Sequence, residues 1–223
     1  MLDRRTLMLS GAALLAGCTT GLGRRGSARR FVQVDGTRFR IGGETYRFDA
    51  GCFFQINHAL LEPLVAEALR DAGGASAVDL YCGVGLFTLP LARRFERVHG
   101  VEGHPSAAAH ARRNLSDAGL ANASVDAAQV GDWLLRRAHT LAPADFVLLD
   151  PPRAGAAEAV EGILALRPRR VSYVSCDPAT LARDLRALCD GGYALDSVSA
   201  FDMFPQTHHV ETVVHLFNSS QNT

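Results

Sequence analysis

The chain has 223 residues, of which 48% are hydrophobic, and its formal net charge is zero. That length suits one large domain, or one domain with an arm, and the composition excludes wholesale disorder. Because the net charge is zero, the overall charge of the chain does not by itself indicate a nucleic-acid partner. The cysteines are odd in number and scattered, at positions 18, 52, 82, 176 and 189. Without a CxxC pair they favour free thiols in a reducing compartment, and we expect no metal or iron–sulfur cluster.

Residues 1–30 point in another direction. The stretch "RRTLMLSGAALLAGC" combines an arginine pair, a short apolar run and a Leu-Ala-Gly-Cys ending. It resembles a bacterial lipoprotein signal peptide with Cys18 as the lipidated residue, and its apolar run is too short to span a bilayer. A glycine- and arginine-rich linker follows at 21–30. Two readings stay open: a true signal, or a segment added by a misplaced start or a gene fusion.

The segment 31–49 alternates polar and apolar residues and turns at Asp35-Gly36 and Gly42-Gly43, which predicts a small β-hairpin or meander. Helical periodicity follows at 58–71. Beyond it, the predicted strands are 76–81, 97–101, 123–127, 145–149 and 171–175, and the predicted helices are 86–95, 105–118, 155–165 and 178–190. This alternation predicts an α/β fold with a mostly parallel sheet covered on both faces. The runs 193–201 and 210–217 have no helix between them and should pair antiparallel.

The ends of the first two of these strands suggest a nucleoside site. In "DLYCGVGLFTLPLA", Gly83 and Gly85 let the backbone approach a ligand closely. The third position of a dinucleotide fingerprint is Thr88 rather than glycine, which turns the prediction from a pyrophosphate toward S-adenosylmethionine. The second strand ends in "VHGVEG", where Glu102 can accept two hydrogen bonds from a ribose diol.

The fourth strand ends in "FVLLDPPRAG", which holds Asp150 rigidly before two prolines. A helix N-cap is the alternative reading of this aspartate. Methyltransferases that act on exocyclic amines also use an Asp/Asn-Pro-Pro turn, followed by an aromatic residue that stacks on the base. Arg153 stands at that position here, so an amine target is disfavoured.

The fifth strand ends at Cys176 in "VSYVSCDPATLARDL", just before a helix that Asp177 and Pro178 should begin. A small residue filling a gap is one reading of the cysteine. A thiol at a helix N-terminus is also favoured as thiolate, although Asp177 opposes this. The last strand opens with "THHVETVV" and sets Glu211 at the same cleft. A cysteine and two acids at neighbouring strand ends indicate covalent chemistry with separate proton handling.

Together, "FFQIN", "DLYCGVGLFTLPLA", "GVEG", "LLDPPRAG", "YVSCDPATLARDL" and "DMFPQTHHVETV" resemble the catalytic domain of the RNA (uracil-C5)-methyltransferases over about 31–217. The resemblance implies a Rossmann-like class I methyltransferase fold, S-adenosylmethionine as cofactor, and methylation of uridine in tRNA or rRNA. It also implies a cytoplasmic monomer.

The resemblance further assigns roles. Cys176 matches the nucleophile that adds to carbon 6 of uracil, and Glu211 matches the base that removes the carbon 5 proton. Asp150 matches a residue that touches both cofactor and uracil, and Phe53 matches an aromatic that stacks on the flipped base. The positions that match the cofactor lining are Gln55, Tyr81, Glu102 and Asp150, with Gln129 as a weaker match.

Most members of this family carry an N-terminal RNA-binding barrel and a central domain. The expected organisation here is a signal-like segment (1–30), a remnant β arm of the central domain (31–57), a catalytic domain (58–218) and a tail (219–223). The alternatives to an active enzyme are a truncated fragment that binds only cofactor or RNA, and a lipoprotein anchored through Cys18 with a repurposed fold.

Overall fold

The computed structural model describes residues 37–49, 51–54, 57–203, 205–207 and 210–221. Its strands are β1 (Thr37–Ile41), β2 (Glu44–Phe48), β3 (Gly74–Leu80), β4 (Phe95–Glu102), β5 (Ala123–Ala127), β6 (Phe146–Leu149), β7 (Arg170–Ser175), β8 (Tyr193–Phe201) and β9 (Glu211–Asn218). Its helices are α1 (His58–Ala68), α2 (Thr88–Ala92), α3 (Pro105–Asp117), α4 (Val130–Leu141), α5 (Val160–Leu166) and α6 (Pro178–Asp190). Short 3-10 turns lie at Ala157–Ala159 and Ser219–Gln221.

Strands β3 to β9 form one seven-stranded sheet in the order β5-β4-β3-β6-β7-β9-β8. The neighbours from β5 to β7 pair in parallel, whereas β9 runs antiparallel to both β7 and β8. The predicted α/β fold with a C-terminal antiparallel hairpin is therefore confirmed. Because β9 is reversed, its first residue lies at the edge of the sheet where the parallel strands end.

The strand residues alternate between two hydrophobic clusters, as the pleat of a sheet covered on both faces requires. In β6, Phe146 and Leu148 belong to the cluster that includes residues of α1, α2 and α3. Val147 and Leu149 belong to the cluster that includes residues of α4, α5 and α6. Both faces of β6 are therefore covered by apolar side chains, and the nearest polar side chains along the chain lie beyond its two ends.

The β1–β2 hairpin is held against α3 by a buried amide, Asn114. The Oδ1 atom of Asn114 accepts a hydrogen bond from Arg47 N at 2.9 Å, and its Nδ2 atom donates to Arg47 O at 3.1 Å and to Val84 O at 3.0 Å. The ring of Tyr46 is also buried, and its hydroxyl donates to Leu86 O at 2.9 Å. Since Val84 and Leu86 belong to the turn after β3, Asn114 and Tyr46 join the hairpin to that turn.

Replacing Asn114 by alanine should lower the free energy of unfolding by about 2–4 kcal/mol, because three backbone groups lose their partner in a buried place. Urea denaturation followed by circular dichroism measures the change. Ser116→Ala, at an exposed position of the same helix, is the matched control and should cost less than about 0.5 kcal/mol. Equal stability of the two variants would show that the hairpin is not held through Asn114.

The sequence pattern predicted no helix between 127 and 145, and so it missed helix α4. Its buried residues, Val130, Trp133, Leu134 and Ala138, have helical spacing. The adjacent Leu135 is 72% exposed, which blurs the apolar stripe. Gly131 weakens the propensity further; a Cβ there would stand 3.1 Å from Glu158 Cγ, so close packing favours the glycine.

Other expectations concern the ends of the chain. The signal-like segment 1–30, with Cys18, and the predicted turn at Asp35-Gly36 lie outside the described residues. The division at 57/58 and the separate tail stay predictions. None of the helices in the described ranges combines the length and hydrophobicity that crossing a bilayer requires.

Candidate active site

Three predicted site residues meet at the edge of the sheet where the parallel strands end. Asp150 directly follows β6, Cys176 directly follows β7, and Glu211 begins β9. The antiparallel register pairs Ser175 with Thr212, so the next residues along this ladder are Cys176 and Glu211. Because β9 is antiparallel to β7, the start of β9 lies beside the end of β7. The Cys176 thiol and the Glu211 carboxylate are therefore neighbours. Ligands of open α/β sheets bind at this edge.

Glu211 is almost completely buried, with 1% of its surface exposed. Its Oε2 atom has no hydrogen-bond partner among the described residues. Burial raises the pKa of Glu211 from 4.5 to about 7. A carboxylate with an unused acceptor atom and a pKa near neutrality can take up a proton during a reaction.

The raised pKa of Glu211 should also destabilise the fold at neutral pH. The folded state holds this proton up to about pH 7, whereas an unfolded chain releases it near 4.5. Stability should therefore fall as pH rises between these values. Glu211→Gln should unfold with a free energy roughly 3 kcal/mol higher than that of the wild type at pH 8, and the gain should vanish at pH 4. Urea denaturation at the two pH values measures this; a gain that does not depend on pH would contradict it.

Cys176 is partly buried and lies among charged groups of both signs. Its pKa is raised, first by burial and then by the negative charges of Glu211 and Asp150, while a hydrogen bond and the positive charge of Arg153 lower it. Asp177 was expected both to cap the helix and to oppose the thiolate. The cap is confirmed, since its Oδ1 atom accepts from Ala179 N at 2.9 Å and from Thr180 N at 3.0 Å at the start of α6. The opposing effect of its charge stays a prediction.

Arg153 is the group at the thiol that the sequence reasoning missed. The sequence marked it only as the place where amine-directed enzymes carry an aromatic residue. Its guanidinium lies near enough to the Cys176 thiol to lower the pKa of that thiol, against the effect of the two carboxyl groups, and so it favours the thiolate. This proximity relates the loop after β6 to the end of β7, and spacing along the chain does not reveal it.

A second group that the sequence reasoning missed is an acid, Asp79, which lies inside β3. Asp79 is fully buried; its Oδ2 atom accepts from Thr88 Oγ1 at 2.5 Å, and its Oδ1 atom has no partner within the described ranges. Burial raises its pKa to about 7, with a smaller effect of Glu102, although the Thr88 bond lowers it. The pKa of Asp150 is raised well above its ordinary value by burial, then by Glu211 and Asp79. An aspartate inside the apolar run "AVDLY" was the available signal for Asp79.

The turn after β3 is tied to Glu102 at the end of β4. The Glu102 carboxylate accepts from Gly83 N at 2.8 Å through Oε2 and from His104 N at 2.7 Å through Oε1. Tyr81, with φ of 60°, and Gly83, with φ of 55°, both have left-handed backbones. Apart from its two chain neighbours, no heavy atom of the described residues lies within 4 Å of a Cβ built on Gly83. That residue therefore presents open backbone, as the sequence predicted.

Gly85 packs closely inside the same turn. Its φ is 95°, and a Cβ there would stand 2.9 Å from Leu89 Cδ1 and 3.6 Å from Ala111 Cβ. The missing side chain lets the turn pack onto α2 and α3. This packing is a second reason for a glycine here, and the predicted approach of a ligand to Gly85 stays a prediction.

Two further predicted residues, Gln129 and Phe53, lie near the segment that follows β4. The Gln129 side chain packs on Gly103, where a Cβ would stand 3.1 Å from its amide atoms. Phe53 is 70% exposed and follows Cys52, whose Sγ atom lies 3.8 Å from Ser106 Oγ in the first turn of α3. Gln55 lies outside the described residues.

These groups fit a nucleoside cofactor. Each oxygen of Glu102 accepts one amide hydrogen bond and keeps a lone pair for a ribose hydroxyl. The open backbone at Gly83 allows close approach, and the unused Oδ1 atom of Asp79 leaves an acceptor near the turn. Across the described ranges, no three His, Cys, Asp or Glu side chains are grouped to hold a metal ion. The expected absence of a metal stays a prediction.

Residues 29–219 match a protein family described as tRNA (Uracil-5-)-methyltransferase. The 23S rRNA (uracil(1939)-C(5))-methyltransferase RlmD of Edwardsiella ictaluri is 40% identical over 215 residues, which cover 95% of this chain and 49% of that protein. An uncharacterized RNA methyltransferase of Thermosynechococcus vestitus is 44% identical over 193 residues, covering 84% of this chain and 40% of that protein.

The fold also matches a solved structure, the tRNA (uracil-54, C5)-methyltransferase of Pyrococcus abyssi in complex with S-adenosyl-L-homocysteine. The TM-score is 0.73 at 32% sequence identity, and the match covers 89% of this chain and 49% of that chain. The chain therefore spans about half the length of these relatives.

Proposed function

Because the chain belongs to the tRNA (uracil-5-)-methyltransferase family, we propose that it transfers a methyl group to carbon 5 of a uridine in tRNA or rRNA. One observation carries this proposal: the Cys176 thiol lies next along the β7–β9 ladder from Glu211, whose carboxylate has an unused acceptor atom. A nucleophile and a separate base are what methylation of a poorly nucleophilic carbon needs.

The first step belongs to Cys176. Its thiol loses a proton to water, and Arg153 stabilises the thiolate. The Sγ atom then forms a bond to carbon 6 of uracil, and the electron pair of the C5–C6 double bond moves into an enolate. S-adenosylmethionine, when bound, would supply the methyl group to carbon 5 of this enolate; the bond between the methyl group and the sulfonium sulfur would break, and S-adenosylhomocysteine would be the leaving group.

The second step belongs to Glu211. Its carboxylate removes the proton from carbon 5, the C5–C6 double bond forms again, and the thiolate leaves. The pKa of about 7 suits this step, because the carboxylate is largely ionised above that pH and still binds a proton well. Glu211 then releases the proton to water and the Cys176 thiolate takes one up from water, so both side chains return to their starting states.

The cofactor would lie along the turn after β3, with its ribose hydroxyls donating to Glu102. Its other proposed contacts are the predicted cofactor residues Gln55, Tyr81, Gly83, Gly85, Gln129 and Asp150. Asp150 would also hold the edge of the uracil, and Phe53 would stack on the flipped base. We place the protein in the cytoplasm as a monomer, where unmodified RNA and S-adenosylmethionine are both present.

The test is nucleoside analysis of RNA after incubation with S-adenosylmethionine whose methyl group carries deuterium. Unmodified tRNA and rRNA are tried separately, and Cys176→Ala is the control. Deuterated 5-methyluridine in one RNA with the wild type alone would support the proposal. Binding of cofactor or RNA without this product in either RNA would favour the non-catalytic fragment.

A further inference from the structure

Asp184 on α6 is a buried carboxylate that the proposed chemistry does not use. Only 1% of its surface is exposed. Its Oδ2 atom accepts hydrogen bonds from Ala156 N and from the Tyr173 hydroxyl, both at 2.7 Å, and its Oδ1 atom accepts from Arg183 Nε at 2.8 Å. Asp184 thus joins three elements: α6, strand β7 and the loop after β6.

The same helix holds this loop at two further points. Thr180 Oγ1 donates to Arg153 O at 3.1 Å, and the Arg183 guanidinium donates to Ala154 O at 2.9 Å. Between these contacts, Gly155 has φ of 80°, and a Cβ there would stand 2.6 Å from Asp184 Oδ2. The backbone of residues 153–156 is therefore fixed residue by residue against α6.

Each element that Asp184 joins either carries Arg153 or lies next to Cys176 along the chain. The loop carries Arg153, α6 begins two residues after Cys176, and Tyr173 lies three residues before it on β7. We propose that Asp184 is a positioning residue that holds the loop after β6 so that Arg153 meets the Cys176 thiol. This inference deepens the proposed function and rests on Cys176 being its nucleophile.

Asp184 acts as an anion in this arrangement. Burial alone would raise its pKa, but hydrogen bonds from Arg183, Ala156 N and Tyr173 outweigh it and lower the pKa below its ordinary value. Asparagine would keep the shape of the side chain and could still accept from Ala156 N. It would replace the Oδ1 acceptor with an NH₂ group, which cannot accept a hydrogen bond from the Arg183 guanidinium. Because Arg183 also donates to the loop, the loop would lose its fixed position.

Alkylation of Cys176 by iodoacetamide tests the inference, because it needs neither RNA nor cofactor and so does not depend on turnover. The rate at Cys176 is followed by peptide mass spectrometry from pH 6 to pH 10, since only the thiolate reacts. Asp184→Asn and Arg153→Met should each slow the reaction about tenfold at pH 7, which corresponds to a pKa about one pH unit higher. The double variant should be no slower than either single variant.

Asp190→Asn, at an exposed position of the same helix, is the matched control and should leave the Cys176 profile unchanged. The exposed Cys189 serves as an internal reference in every sample. If Asp184→Asn does not fold, Tyr173→Phe removes a single hydrogen bond to the same oxygen and should slow the reaction two- to threefold.

A wild-type profile in a folded Asp184→Asn or Tyr173→Phe variant would overturn the inference, even if its melting temperature were lower. Additive slowing in the double variant would also overturn it, because Asp184 would then act independently of Arg153. If the wild type shows no methyl transfer although the alkylation rates are as expected, the result counts against the proposed function and not against the role of Asp184.

Discussion

Cys176→Ala is expected to reduce methyl transfer by at least roughly 10⁴-fold, because carbon 5 of uracil becomes nucleophilic only after the thiolate adds to carbon 6. Single-turnover incorporation of labelled methyl into RNA measures the loss. Cofactor affinity, measured by calorimetry, should stay within about twofold of the wild-type value, since Cys176 is not among the proposed cofactor contacts.

Cys189→Ala is the matched control for this prediction. It removes an exposed thiol near the other end of α6 and should leave the transfer rate unchanged. A Cys176→Ala protein that still transfers methyl groups within tenfold of the wild-type rate would contradict covalent catalysis.

Glu211→Gln is expected to separate the two halves of the reaction. The thiolate can still add and carbon 5 can still be methylated, but nothing removes the carbon 5 proton, so the enzyme stays bonded to its RNA. Multiple turnover should fall roughly 10²–10⁴-fold, the range typical of general base catalysis. Labelled methyl should accumulate in a protein–RNA adduct that resists detergent, up to one equivalent per protein.

The control is Glu161→Gln, at an exposed position of α5, which should turn over normally and leave no adduct. Normal turnover by Glu211→Gln would show that another group is the base. Failure of that variant both to turn over and to form an adduct would place Glu211 before methyl transfer, and would contradict the role proposed for it.

The fold was predictable where the sequence carries clear signals for the ends of helices and strands. The junction of β7 and α6 illustrates this, since Asp177 caps the helix and Pro178 opens it as expected. Strand ends were also predictable, because an acid or thiol that follows an apolar run usually lies where the strand ends; Asp79, inside β3, is an exception. Helix α4 was not, because the exposed Leu135 and the glycine at 131 obscure its stripe.

The candidate site was predictable only to the extent that its parts are strand ends. Arg153 and Asp184 act through contacts between a loop and a helix about thirty residues apart, and no local pattern encodes such contacts. Gly85 shows a different limit: packing and ligand approach both select glycine, so the residue type alone could not distinguish them.

The most direct test of the account uses RNA that contains 5-fluorouridine, together with S-adenosylmethionine. Fluorine at carbon 5 cannot be removed as a proton, so the reaction should stop after methyl transfer with the protein still bonded to the nucleotide. Mass spectrometry after nuclease digestion should then find one peptide, containing Cys176, heavier by a methylated fluorouridine nucleotide. An adduct on any other residue, or no adduct although cofactor and RNA both bind, would contradict Cys176 as the nucleophile.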